Sequence, residues 1–496
     1  MIIKTDPAVI AGYLEDASGF TAGRAERLVI PEHAGELSAY LAEATQRREA
    51  VTVSGGGTGV TAGRIPRGGT LLSLERFTEL GAVTRTARGG EIRVDPAVRL
   101  ADLKSAAAAE GLLYGPDPTE WTGTLGGNAA TNASGGQSFK YGPTRAHVRG
   151  LTVVLATGGI VSLRRGECRA QGDRLVLPLR GGGSLPFDRP RLKAPQVEKN
   201  AAGFFSAPDM DAVDLFIGME GTLGVISSLI LDLLPAPRGV LSLACFFRQT
   251  GRALETAAAV RASVRGGAPR PGIAPASLEY LDRRALALLR PVFPNLPVDA
   301  ESCLMVDQEW GPDGETAALE AWAGFLEEVG VPERNVWSAA DAAGRERLRR
   351  FRHALPERVN EIVRSRRFPK VGTDLAVPSG AFDAMYDFYE SGLQACGLDA
   401  LIFGHIGDCH LHVNVLPRTA EEYQRARELY LGFACEAVRL GGTISAEHGV
   451  GKLKHDYLHL MIGKAGMQEL ARVKRVLDPA GILNRDNVLP ERWLET

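Results

Sequence analysis

Val51-Thr-Val-Ser-Gly-Gly-Gly-Thr-Gly-Val-Thr-Ala-Gly63 is a β-type run that passes directly into a loop of nearly bare backbone. The amides of such a loop can wrap an anion such as a pyrophosphate. The spacing is not GxGxxG, because Val60 and Ala62 stand where a closing glycine is needed, and no Gly-Lys-Ser/Thr follows to make a Walker A loop. The next residues, Ile65-Pro-Arg-Gly-Gly-Thr-Leu-Leu-Ser-Leu74, read as a turn and a second strand rather than a helix. A Rossmann unit is therefore not expected. Two further glycine-rich stretches point the same way: Tyr114 to Gly136, almost all small residues, and Gly218-Met-Glu-Gly-Thr-Leu-Gly-Val-Ile226. Small residues let main chain lie against a flat ligand, so the three segments together imply one large nucleotide cofactor.

The chain has 496 residues, of which 45% are hydrophobic and 23% charged, values of a folded protein with two or three domains. A formal charge of −2 gives no overall attraction to nucleic acid or to an anionic membrane. The six cysteines show no CxxC, which argues against a disulfide framework and against a cysteine-held iron–sulfur cluster. The first residues lack the basic start and apolar core of a signal peptide, and no long apolar run is free of charge or glycine. The expectation is a cytoplasmic protein without a transmembrane segment, any membrane association being peripheral.

Leu233-Leu-Pro-Ala-Pro-Arg-Gly239 is a proline-rich break. Before it lie strands and short helices, among them a helix over 93–111 with Asp95 as N-cap and Pro96 at the first helical position. After it come strand 241–247, helix 250–264, strand 276–280, helix 281–290, strand 301–309, and helices near 313–329, 341–366 and 379–395. A capping box begins a helix at Thr419, which ends at Gly441-Gly442. The interleaving predicts an α+β fold.

Phe403-Gly-His-Ile-Gly-Asp-Cys-His-Leu-His-Val-Asn-Val415 and Ser445-Ala-Glu-His-Gly-Val-Gly451 carry the chemistry. Alternation in 411–416 sets His410, His412 and Asn414 on one strand face, and the Gly407-Asp408 turn can return His405 beside His412. Any one of these histidines reads equally well as an ordinary polar residue near a turn. Their clustering with Glu447 and His448 points to a divalent zinc- or manganese-like ion.

These segments resemble the FAD-linked D-2-hydroxyacid dehydrogenases of the vanillyl-alcohol oxidase and p-cresol methylhydroxylase (PCMH) superfamily, which include D-lactate and D-2-hydroxyglutarate dehydrogenases and the FAD subunit of glycolate oxidase. The resemblance runs through Gly55–Gly63, Asp117-Pro-Thr119, Thr124-Leu-Gly-Gly-Asn128, Thr131 to Gly136, Lys140-Tyr-Gly142, Glu220-Gly-Thr-Leu-Gly224, the histidine pair, Glu447-His448 and Leu477 to Asn484. It implies a two-part PCMH-type FAD-binding domain at 1–238, an α+β, ferredoxin-like cap at 239–449 carrying substrate and metal groups, and a helical C-terminal segment, 450–496, returning to the FAD domain. It further implies that Gly55, Gly56, Gly57, Thr58 and Gly59 hold the FAD pyrophosphate. Pro118, Thr119, Gly126, Asn128, Thr131 and Ala133 would line the flavin and ribityl chain, and Ile226 the far end. His405, His412 and Glu447 resemble the metal ligands and His448 the catalytic base. Arg352, Lys370 and Asn414 resemble the substrate-binding groups, although Arg352 reads also as one of many solvent-facing arginines on its helix.

Three departures stand out. Ser54 occupies the place of an arginine, Cys409-His410 that of Gly-Asn, and Asn484-Arg-Asp-Asn487 that of Asn-Pro-Gly-Lys. The first and last bear on cofactor affinity, and His410 is open as a fourth ligand or a partner of the ligands. Pro356, one turn after Arg352, stands where members taking a second carboxylate carry a hydroxyl. The implied reaction is oxidation of a small 2-hydroxy acid, with a quinone, a cytochrome or an electron-transfer flavoprotein as acceptor and a homodimer as one assembly. A relaying flavoprotein subunit, or an alkyl-glycerone-phosphate synthase-like enzyme, are the alternatives.

Overall fold

The structure is a computed structural model describing residues 1–311 and 314–494. Its first sheet runs in the order Ile2–Lys4, Arg27–Ile30, Thr70–Ser73, Val51–Ser54, the last three strands parallel. Helix Ala34–Arg47 makes the crossover and buries Leu37, Tyr40, Leu41 and Ala44, the spacing of one helical face. The glycine loop leaves the C-terminal end of Val51–Ser54, as expected, and the chain goes on to a turn and a strand.

A second, antiparallel sheet is built around Val225–Pro235, which pairs Gly89–Val94 on one side and Val148–Val154 on the other. It packs under helix Leu125–Thr131. The expected helix at 93–111 is shorter, Leu100–Ala109, and Asp95 does not cap it. Its carboxylate accepts from Glu79 N, and the amides of Leu100 and Ala101 are taken by the carbonyls of Gly123 and Trp121. Those contacts hold 95–99 as a turn, and Gly111 still ends the element.

The third sheet has the order Val336–Ala339, Gly239–Phe247, Ser302–Trp310, Ser277–Asp282, Ala400–His405, His410–Val415, Val371–Gly372. Its first four strands, with helices Thr250–Val264 and Gly314–Glu328, form the split βαβ arrangement of a ferredoxin-like layer. The α+β fold expected from the sequence is present. The helices expected at 250–264, 341–366 and 379–395 are Thr250–Val264, Ala342–Arg366 and Phe382–Cys396, and residue 313 lies outside the described residues. Thr419 caps Ala420–Arg439 by accepting from Glu422 N. Helix His455–Leu477 then carries the chain back to the first sheet, where Leu483 bridges Val51 and Asn484 Oδ1 accepts from Val53 N at 2.7 Å.

Candidate active site

A cavity of about 920 Å³ opens between the first two sheets. Gly55, Gly56, Gly57, Thr58, Gly59, Gly126, Asn128, Thr131, Ile226 and His448 all line it. Pro118, Thr119 and Ala133 are not among its lining residues. Pro118 borders instead a seam in which a Cβ on Gly135 would sit 1.8 Å from the Asp117 carbonyl oxygen and 2.9 Å from Pro118 N. The cavity wall carries unmet hydrogen-bonding capacity: Thr124 Oγ1 and Asn128 Nδ2 are buried without a partner. Bare glycine backbone and unpaired polar atoms around a dinucleotide-sized space fit a flavin nucleotide.

Arg64 stands beside Ser54, its Nη1 3.4 Å from the Ser54 hydroxyl. Its Nη1 donates to Gly55 O at 3.1 Å and its Nε to Glu15 O at 2.7 Å, against Gly57, where a Cβ would meet Arg64 Cζ at 2.6 Å. Sequence reading missed it, because a single arginine beyond the loop has no local signature. The loop is also held from the C-terminal segment, where Asn487 Nδ2 donates to Gly63 O at 2.7 Å and Asn484 Nδ2 to Glu220 O at 2.7 Å.

The hairpin of Ala400–His405 and His410–Val415 brings the histidines together. The alternation holds, but both faces are buried, since the polar face meets Glu447 rather than solvent. His405, His410, His412 and Glu447 each offer a ligand atom within 4.8 Å of all the others. Glu447 Oε1 lies 3.4 Å from His405 Nε2 and 3.2 Å from His412 Nε2. The far nitrogens face oxygens: His405 Nδ1 is 2.6 Å from Glu279 Oε1, and His412 Nδ1 is 2.9 Å from Thr373 O. In the neutral rings, donation of Nδ1–H to those oxygens leaves both Nε2 lone pairs toward the cluster, the outer arrangement that metal-binding histidines show. These residues fit a divalent ion.

Burial would raise the Glu447 carboxyl, but Lys199, His405 and His410 overcome it and hold it well below the usual range. Lys199 Nζ is itself fully buried, 3.3 Å from Glu447 Oε2 and 2.8 Å from Gly135 O. Burial would lower His405, yet Glu279 draws it up to about 9. Burial pushes His410 down to about 3 and His448 down to about 4, the latter against the pull of Asp374. His448 stacks on His412, rings 5.5 Å apart, and about a third of its side chain is open to the cavity.

Asp374 sets this turn. Its carboxylate accepts from Glu447 N at 3.1 Å, His448 N at 3.0 Å, Ser445 Oγ at 2.7 Å and Lys454 Nζ at 2.7 Å. Both side chains of the pair thus face the site, and Gly449 at φ +77° carries the chain away.

Arg352 is not a solvent-facing arginine: its Nη2 lies 3.1 Å from Glu279 Oε2, on the carboxylate that also holds His405. Asn414 is buried on the strand face of His412 and lies opposite Gly372. Lys370, two residues before Gly372, is open to solvent, and surrounding protein lowers its ammonium. Sequence reading did not find Glu279, Lys199 or Asp374.

A nucleotide cavity between two small sheets, with a histidine–carboxylate cluster delivered to its edge by a third, defines a flavoprotein oxidoreductase of two-part construction. The chain belongs to the FAD-linked oxidases: the family of their C-terminal domain matches residues 241–488, and an FAD binding domain matches 25–164. It is 28% identical to the glycolate oxidase subunit GlcD of Bacillus subtilis, over 95% of this chain and 90% of that one. It is 28% identical to a D-lactate dehydrogenase of Archaeoglobus fulgidus, covering 98% and 97% of the two chains, and 29% to a D-2-hydroxyglutarate dehydrogenase of Xanthomonas citri pv. viticola, covering 97% and 93%. Among solved structures, an alkyldihydroxyacetonephosphate synthase superposes with a TM-score of 0.65 at 15% identity, over 97% of this chain and 81% of that one, a likeness of fold. No helix among the described residues is long and apolar enough to cross a membrane.

Proposed function

We propose that the protein oxidises a D-2-hydroxy acid of the size of D-lactate or glycolate to the 2-oxo acid, using FAD and a divalent zinc- or manganese-like ion held by His405, His412 and Glu447. Residues 1–238 with 450–496 would form the FAD-binding part, and 239–449 the cap. One observation carries the reading: His448 belongs to both places, stacked on a cluster histidine and lining the nucleotide cavity. When bound, FAD supplies a hydride acceptor and the ion a Lewis acid for the substrate's oxygens.

The chain's own groups do the rest. His448, neutral at physiological pH, takes the C2 hydroxyl proton on Nε2, while Nδ1, 3.5 Å from Asp374, keeps the ring oriented. Arg352 and Lys370 receive the substrate carboxylate, and Asn414 lies beside it. Pro356 offers no hydroxyl for a second carboxylate, which favours a monocarboxylic acid. Relatives named for glycolate, D-lactate and D-2-hydroxyglutarate support the substrate class.

Anaerobic mixing of FAD- and metal-loaded protein with D- and L-lactate, glycolate and D-2-hydroxyglutarate tests it. Bleaching of the flavin by D-lactate or glycolate is expected. No bleaching by any 2-hydroxy acid would overturn the proposal in favour of an electron-relaying subunit.

A further inference from the structure

Each of the three clustered histidines turns one nitrogen outward to an oxygen. For His405 it is Glu279 and for His412 the Thr373 carbonyl; for His410 it is Asp374, whose Oδ1 lies 3.2 Å from Nε2. The other nitrogen of His410, Nδ1, is left inside the cluster. The ring is wholly buried, and neither nitrogen has a well-directed hydrogen bond. A supporting role in which His410 donates to a ligand does not fit. Nδ1 is 4.0 Å from Glu447 Oε2, too far for a hydrogen bond, and that oxygen is already taken by Ser134 Oγ at 3.2 Å and Lys199 Nζ at 3.3 Å.

We propose that His410 is a fourth protein ligand of the metal, through Nδ1, completing a set of three imidazoles and one carboxylate. The inference rests on the metal reading above and goes beyond it, since resembling proteins carry asparagine at this place. Donors around a tetrahedral ion with bonds of about 2.0–2.1 Å lie roughly 3.4 Å apart. The separations of 3.4 and 3.2 Å from Glu447 Oε1 to His405 and His412 match that edge; a ligand atom of His410 lies within 4.8 Å of the other three, so a small inward shift of its ring brings it to the remaining corner. Such a set selects zinc over manganese, because imidazole-rich sites suit zinc and carboxylate- and water-rich sites suit manganese. Ser134 and Lys199 hold the second oxygen of Glu447 off the ion, so the carboxylate binds through one oxygen and substrate adds as a further ligand.

Cobalt(II) loaded into the FAD-containing protein decides the matter by proton NMR, in which each metal-bound imidazole gives one strongly shifted, exchangeable N–H signal. Three signals are expected in the wild type and two in His410→Asn, with FAD content unchanged. Two signals in the wild type would overturn the fourth ligand while leaving the three-ligand site intact, and this count holds whether or not the variant folds. Failure of the wild type to take up cobalt or zinc would overturn the metal reading and this inference with it.

Discussion

Glu279 holds His405 and Arg352 on the two oxygens of one carboxylate, at 2.6 Å and 3.1 Å. Burial would raise that carboxyl, but Arg352 and His405 together keep it far below the usual range, so it is a fixed anion in the floor of the site. One side chain therefore orients both the proposed metal ligand His405 and the proposed substrate-binding cation Arg352. Glu279→Gln keeps the shape and removes the charge. We expect metal affinity to fall about 10–100-fold, the usual effect of losing a partner behind a ligand, with KM rising as Arg352 loses its anchor. Metal titration of the variant checks the first effect, and steady-state kinetics at saturating metal the second.

Arg64 places a cation beside Ser54, its Nη1 3.4 Å from the Ser54 hydroxyl. Its guanidinium lies on the Gly55 carbonyl and lines the nucleotide cavity. A charged hydrogen bond contributes about 1.5–3 kcal/mol, so Arg64→Ala should weaken FAD binding roughly 10–100-fold. Fluorescence titration of FAD-free protein with FAD measures this. An unchanged dissociation constant would show that the loop amides alone hold the pyrophosphate.

The histidine cluster was legible because its three imidazoles share one hairpin: alternation in 411–416 and the Gly407-Asp408 turn encode their convergence. The groups that steer it were not. Glu279 reaches His405 across 126 residues, and Lys199 reaches Glu447 across 248, distances at which no periodicity speaks. A clue existed in Ser277-Leu-Glu-Tyr-Leu-Asp282, where a glutamate interrupts a strand buried on both faces and so requires a buried cation. Asp95 failed as a cap for a related reason: the Ala97 amide it was to serve is taken by the Phe77 carbonyl, and the helix starts only at Leu100, whose amide goes to Gly123, both partners lying outside the local window. Arg352 was ambiguous in a helix crowded with arginine, and only the packing of Phe351 and Leu355 turns it inward.

Lys452 gives a pH signature. Burial lowers its ammonium from 10.5 to about 8, although it reaches the Asn487 amide oxygen and Gly63 O. A lysine whose folded value lies below its unfolded one destabilises while charged. The cost is complete below pH 8 and vanishes above about 10.5, amounting to about 3 kcal/mol at neutral pH. In FAD-free protein, Lys452→Met should raise the melting temperature at pH 7, and the gain should shrink as pH climbs toward 10. A gain independent of pH would assign the effect to packing.

Asp374 makes the roles of Glu447 and His448 separable. Because it holds both backbone amides, either side chain can be changed without releasing the turn. His448→Asn should keep metal and FAD and slow flavin reduction by roughly two to four orders of magnitude, the usual contribution of a positioned base. Glu447→Gln neutralises the proposed carboxylate ligand instead, so metal content should fall first, with reduction partly recovered at high metal concentration. Metal analysis beside single-turnover flavin reduction of both variants distinguishes these outcomes. Near-normal reduction by His448→Asn would leave its stacking on His412 as its role and place the base elsewhere.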